Sequence, residues 1–167
     1  MILVIDVDYK DSNNTAGVAG LLFNNFEDIS YSRKIELIVK DILPYESGSF
    51  YKRELPCILA LLKEVSENLD FIIVDGYVFL DNNLDGLGAH LFKEVNIPII
   101  GVAKNAYKGI SEDKLIFRGI SKKPLYITSI GIDLSCAKTA IQSMAGNYRL
   151  PTLLKDVDRL CRDINKG

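Results

Sequence analysis

Residues 71–76, "FIIVDG", constrain the fold more than any other stretch of this chain. An unbroken apolar run that stops at Asp-Gly suits a strand buried on both faces and ending in a loop, which is how central parallel strands read. A second such run, "IPIIGVAK" (97–104), follows a helical stretch marked by Leu84, Leu87, Gly88, Leu91 and Val95. Strand, helix and strand in that order imply a right-handed crossover and a parallel pair.

The flanking segments extend this unit. In the opening "ILVIDVDYKD", Ile2 to Val7 reads as a buried strand, and "TAGVAGLLF" (15–23) returns antiparallel after the turn-rich "KDSNN". "SRKIELIVKDI" (32–42) is ambiguous between strand and helix, and its β-branched content favours a third strand. Residues 44–53, "PYESGSFYKR", read as a loop. A helix is expected from about Lys52 to Asn68, with Ile58, Leu61, Leu62, Val65 and Leu69 at helical spacing and Pro56 tolerated in its first turn. "KLIFRG" (114–119) and "PLYITSIG" (124–131) read as strands. Two helices follow, with stripes at Leu134, Ala137, Ile141 and Met144, then at Leu153, Val157, Leu160 and Ile164. The expectation is an α/β chain, a mixed sheet flanked by helices, with residues 1–167 as one domain.

Composition narrows the setting. No apolar run approaches the roughly 20 residues of a membrane span, and the opening residues lack the basic region of a secretory leader. Cys57, Cys136 and Cys161 are odd in number and dispersed, so they are expected as small hydrophobes in a reducing cytoplasm. A net charge of −2 argues against a strongly basic nucleic-acid coat, yet it is compatible with a carboxylate site that carries cations. A cytoplasmic monomer without membrane contact is expected.

Three acidic residues stand where acids are uncommon. Period-2 alternation puts Asp6 on one strand face with Ile2, Val4 and Asp8, and Asp75 ends the buried run "FIIV". Glu54 lies four residues before Ile58, on the apolar stripe of its helix. If the first strand and the strand 71–75 are parallel neighbours, Asp6 and Asp75 meet at one sheet end and Glu54 joins them from the helix start. Such carboxylates cannot all ionise without a countercharge, and all-oxygen ligation suits Mg²⁺ or Mn²⁺. Lys104 also falls at a strand carboxyl end, where α/β sheets place ligands. The bland alternative stays open: a strand-ending Asp can be a turn or cap residue, and Glu54 can simply favour a helix N-terminus.

The chain resembles the endonuclease V family. "DVDY" (6–9) matches its D-V-x-Y, and "PYESGSFYKRELP" (44–56) its P-Y-x-x-G followed by R-E-x-P. "VDG" (74–76) with "GLGAHL" (86–91), then "GVAKNAYKG" (101–109) and "PLYIT…YRLP", match the rest in order. The resemblance implies a ribonuclease H-like fold and a metal-dependent endonuclease. That family cleaves DNA or RNA near deaminated purine, at the second phosphodiester 3′ to inosine or deoxyinosine. It implies Asp6, Glu54 and Asp75 as metal-binding carboxylates and Lys104 as the phosphate-side lysine. It implies Tyr45 and Gly48 in a wedge loop, with Gly76 beside them in substrate binding.

The departures are specific. Family members commonly carry H-P-R where this chain has Asp81, Asn82 and Asn83, and their G-H pair is replaced by Gly131 and, two residues on, Asp133. Asp133 is expected either to cap the helix from Leu134 or to turn to the metal, and Asp81 likewise admits a metal role. His90, the only histidine, is expected to pack or to support the site rather than ligate. A noncatalytic nucleic-acid-binding relative, or a nuclease with a different substrate, are the alternatives.

Overall fold

The computed structural model describes residues 1–80 and 84–166. Its centre is one seven-stranded mixed sheet in the order β3-β2-β1-β4-β5-β7-β6. β1 (Ile2–Lys10), β2 (Thr15–Phe23) and β3 (Arg33–Lys40) form an antiparallel meander. β4 (Phe71–Asp75) lies parallel to β1, and β5 (Ile99–Ala103) parallel to β4. β7 (Leu125–Ile130) runs antiparallel to β5, with the short β6 (Leu115–Ile116) at the edge.

Two apolar layers follow from strand alternation. Leu3, Ile5, Ile72 and Val74 face α1 (Tyr51–Leu62) and α2 (Leu87–Val95). Ile2, Val4, Ile73 and Val102 face α3 (Leu134–Ser143) and α4 (Thr152–Lys166). α4 lies against β1 and β2 at Gly17, where a Cβ would come within 2.4 Å of the Cys161 carbonyl oxygen. Asn165 fixes the far end of α4, its Nδ2 donating to the Asp8 carbonyl at 2.7 Å. This close seating fixes what α4 presents to β1.

Three expectations shift in detail. α1 ends at Leu62, where Glu64 N–H bonds to the Leu61 carbonyl and Val65 N–H to that of Leu62, tightening the last turn. Val65 and Leu69 still pack on the core from the loop, so their spacing mimicked two more helical turns. Pro56 sits inside α1 rather than in its first turn, and it is exposed, as is Lys52, whose carbonyl is the one four residues back that the missing Pro56 N–H would have met. The strand expected over 114–119 is only Leu115–Ile116, because Arg118 turns inward and Gly119 adopts φ +60. Among the described residues no helix is long and apolar enough to cross a membrane.

Candidate active site

The parallel pairing of β1 and β4 runs to Ile5 opposite Val74, so Asp6 and Asp75 follow on adjacent strands and project to the face covered by α4. Asp75 pairs with Val102 of β5, and Lys104, just beyond β5, brings Nζ to 3.8 Å from Asp75 Oδ2. Glu54 comes from the opposite face, in the first turn of α1, and is only 4% exposed with Oε2 lacking any hydrogen-bond partner. The neighbouring Arg53 secures that turn: its guanidinium bonds Asp11 after β1 and lies 3.9 Å from the centre of the Tyr9 ring.

One member of the group went unrecognised in the sequence. Asp158 on α4 places a carboxylate oxygen within 4.8 Å of both Asp6 and the Cys161 thiol. Its signal was present: it lies four residues after Leu154 and three before Cys161, on the buried stripe of α4.

The electrostatics show how strongly these groups oppose each other. Burial, then the Asp75 carboxylate, pushes Asp6 up to about 8, with Asp158 adding to the rise. The Val7 amide, donating to Asp6 Oδ1 at 2.9 Å, and Lys104 work the other way. Glu54 is raised well above the usual carboxylate range by burial, then by Asp6 and Asp75. Asp75 is raised by burial and by Asp158, while Lys104 and Arg162 hold it back. Asp6, Asp75, Lys104 and Asp158 line a cavity of about 20 Å³, room for one water-sized particle. Hard oxygen donors, an unpartnered buried Glu54 oxygen and excess negative charge fit a small divalent cation.

A second cleft, of about 220 Å³, opens beside the carboxylates. Gly48, Phe50, Tyr51, Gly76 and Leu87 line it, with Asp75 at its edge. Gly76 has φ +126, a conformation that L side chains rarely adopt, and this lets the chain leave β4 sharply. Tyr45 is 63% exposed on the loop before α1, its ring centre 6.3 Å from that of Phe50. His90 stacks on Tyr51 at 3.6 Å between centres, a packing role.

The structure does not bring Asp133 to this group. Ile130 pairs with Ile99, at the opposite end of β5 from Lys104, and Asp133 lies just beyond Ile130. It takes the N-cap position of α3, exposed, with no side-chain capping hydrogen bond. The antiparallel run of β7 is the physical reason, since it carries the strand-to-helix turn away from the carboxylates. Asp81, Asn82 and Asn83 lie outside the described residues.

The sequence model of Endonuclease V matches residues 1–121. An endonuclease V of Streptomyces coelicolor is 26% identical over 180 residues, covering 95% of this chain and 76% of that protein. The crystal structure of the Streptomyces avermitilis endonuclease V superposes with a TM-score of 0.82 at 26% identity, covering 99% of this chain and 81% of that one. The Ciona intestinalis endonuclease V, in complex with a 24mer DNA containing an inosine followed by a ribo-adenosine, gives a TM-score of 0.81 at 20% identity, covering 99% and 85%. The mixed sheet with its flanking helices is thus the ribonuclease H-like fold of these structures. With its sequence and its architecture both matched in this way, the chain belongs to the endonuclease V family, a family of nucleases.

Proposed function

We propose that this chain hydrolyses a phosphodiester of DNA or RNA near a deaminated purine, inosine or deoxyinosine, with Mg²⁺ or Mn²⁺ as cofactor. The observation that carries the reading is the meeting of Asp6, Asp75, Asp158 and Lys104 around one small cavity, with Glu54 buried close enough for Asp6 and Asp75 to raise it further. Asp6, Glu54, Asp75 and Asp158 would hold the cation. Such an ion supplies charge stabilisation on the phosphate and a lowered pKa for the attacking water.

The chain's own groups do the positioning. The Lys104 side chain is 35% exposed and stands beside Asp75, so its ammonium can meet a phosphate oxygen while remaining tethered by the carboxylate. The cleft at Gly48 and Gly76 adjoins Asp75, which supports a bound base lying next to the reacting phosphate. Tyr45 stands exposed near it, free to stack on or part the bases. The working form in this reading is a monomer, with residues 1–167 as one catalytic domain. A reducing cytoplasm is the setting that the dispersed cysteines suggest.

The deciding experiment is a nicking assay on single- and double-stranded DNA and RNA with one inosine, in Mg²⁺, Mn²⁺ or chelator. Cleavage beside inosine that chelator and Asp75→Asn both abolish is expected. Absence of cleavage from every strand in both metals would overturn the reading.

A further inference from the structure

Exposed apolar side chains on a rigid loop at the site end of the sheet are otherwise unexplained. Ile116 pairs with Leu125, and Tyr126 with Ala103 of β5, so the connection 117–124 projects past the sheet end where Lys104 lies. Arg149 joins the two places, donating to the Lys104 carbonyl and, at 2.7 Å, to that of Pro124. On this loop Phe117 is 54% exposed and Ile120 101%, while Tyr148 beside it is 68% exposed.

The loop is clamped. Arg118, 3% exposed, donates to the carbonyls of Met144 at 2.5 Å and Tyr148 at 2.8 Å, and also to those of Gly146 and Arg149. A Cβ on Gly119, at φ +60, would come within 2.2 Å of the Asn147 carbonyl oxygen. The buried guanidinium therefore holds Phe117 and Ile120 out in water instead of letting them fold onto the core. Lys122 and Lys123 are exposed next to them and form no ion pair with any described residue. The acids that precede the loop in sequence, Glu112 and Asp113, lie before β6, and Asp113 pairs with Lys114 at 3.7 Å.

We propose that Phe117, Ile120, Lys122 and Lys123 form a second contact for the nucleic-acid strand, across the carboxylates from the Tyr45 loop. The inference rests on the nuclease reading above. The sheet order sets the path: Phe50 touches Tyr9 of β1, then come Asp6 on β1, Asp75 on β4 and Lys104 after β5, and the loop joins the ends of β6 and β7. A strand with its base in the Gly48–Gly76 cleft and its phosphate over Asp75 and Lys104 meets Phe117 after about two further strand spacings, roughly 10 Å. Two unpaired lysines match its phosphates in charge, and an aromatic ring offers a stacking surface for any base. Recognition here is of backbone and ring, independent of the lesion.

The test is binding to single-stranded oligonucleotides with and without inosine, in chelator, over a salt series. Lys122→Ala combined with Lys123→Ala is expected to lower the slope of log affinity against log salt by about 1.4, two contacts at about 0.7 each on a single strand. Phe117→Ala is expected to weaken binding about tenfold with the slope unchanged. Both losses should appear equally on undamaged strands, and trimming the flank on one side of the inosine, not the other, should remove them. Variants that match the parent in affinity and slope on the long strands overturn the loop contact, even where inosine cleavage is intact. Losses seen in a protein that does not cleave beside inosine leave the contact standing and overturn the substrate reading alone.

Discussion

Asp6 on β1 and Asp158 on α4 hold carboxylate oxygens within 4.8 Å of each other, drawn together by the seating of α4 on Gly17 and Asp8. Proximity of this kind destabilises the metal-free protein unless one group keeps a proton. Asp158→Asn is therefore expected to raise the thermal midpoint in chelator and to lower metal-dependent cleavage about a hundredfold. Cleavage at the parent's rate would remove Asp158 from the cation site.

Lys104 stands 3.8 Å from Asp75 and partly open to solvent. Lys104→Ala should reduce single-turnover cleavage by about 10²- to 10³-fold, the scale for losing one preorganised electrostatic group. Lys104→Arg should recover part of that rate, since charge is kept and shape is not. Equal rates for alanine and parent would make the lysine a surface partner of Asp75 only.

Tyr45 makes one ring contact, to Phe50, and is otherwise exposed. Its loss should not disturb the core. Tyr45→Ala is expected to weaken affinity for an inosine-bearing strand by about 1–3 kcal/mol, measured by titration in chelator, with an unchanged thermal midpoint. Unaltered affinity would return it to a surface role.

The sheet was legible because its strands carry strong period-2 or unbroken apolar signals, and β2 begins and ends at the expected Thr15 and Phe23. Asp6, Glu54 and Asp75 were legible for a related reason, since a carboxylate inside an apolar pattern is itself a signal. Asp158 was missed although it obeys the same rule. It sits on a helix rich in charge, where one more acid looks like solvated surface until the stripe through Leu154 and Cys161 is traced. For Asp133, helix capping and metal ligation both stayed open in the sequence, because direction along β7 depends on antiparallel pairing with β5, and the residues of a strand read alike in either direction. Arg118 was invisible as a clamp, since its partners are all backbone carbonyls.

Asp133 yields a discriminating negative. It lies at the other end of β7 from the carboxylates and makes no side-chain capping bond. Asp133→Asn should leave both the metal affinity, measured by Mn²⁺ titration, and the thermal midpoint unchanged. A weaker Mn²⁺ affinity would place its carboxylate at the cation after all.

The pH response of the metal-free protein follows from Asp6. Its ordinary value of 3.8 is pushed up to about 8, first by burial and then by Asp75. Between those values the native state keeps a proton that the unfolded chain has released, so stability falls as pH rises. The contribution is whole below about 3.8 and is lost as pH passes through about 8. Glu54 and Asp75, also raised, act in the same direction. In chelator, the thermal midpoint should therefore decline from mildly acidic to mildly alkaline pH more steeply for the parent than for Asp6→Asn, which carries no such proton. Mn²⁺ should reverse the trend, because cation binding requires the ionised carboxylates and gains strength as they deprotonate. Parallel midpoint curves for parent and variant in chelator would show that Asp6 is not held protonated by burial and its acidic neighbours.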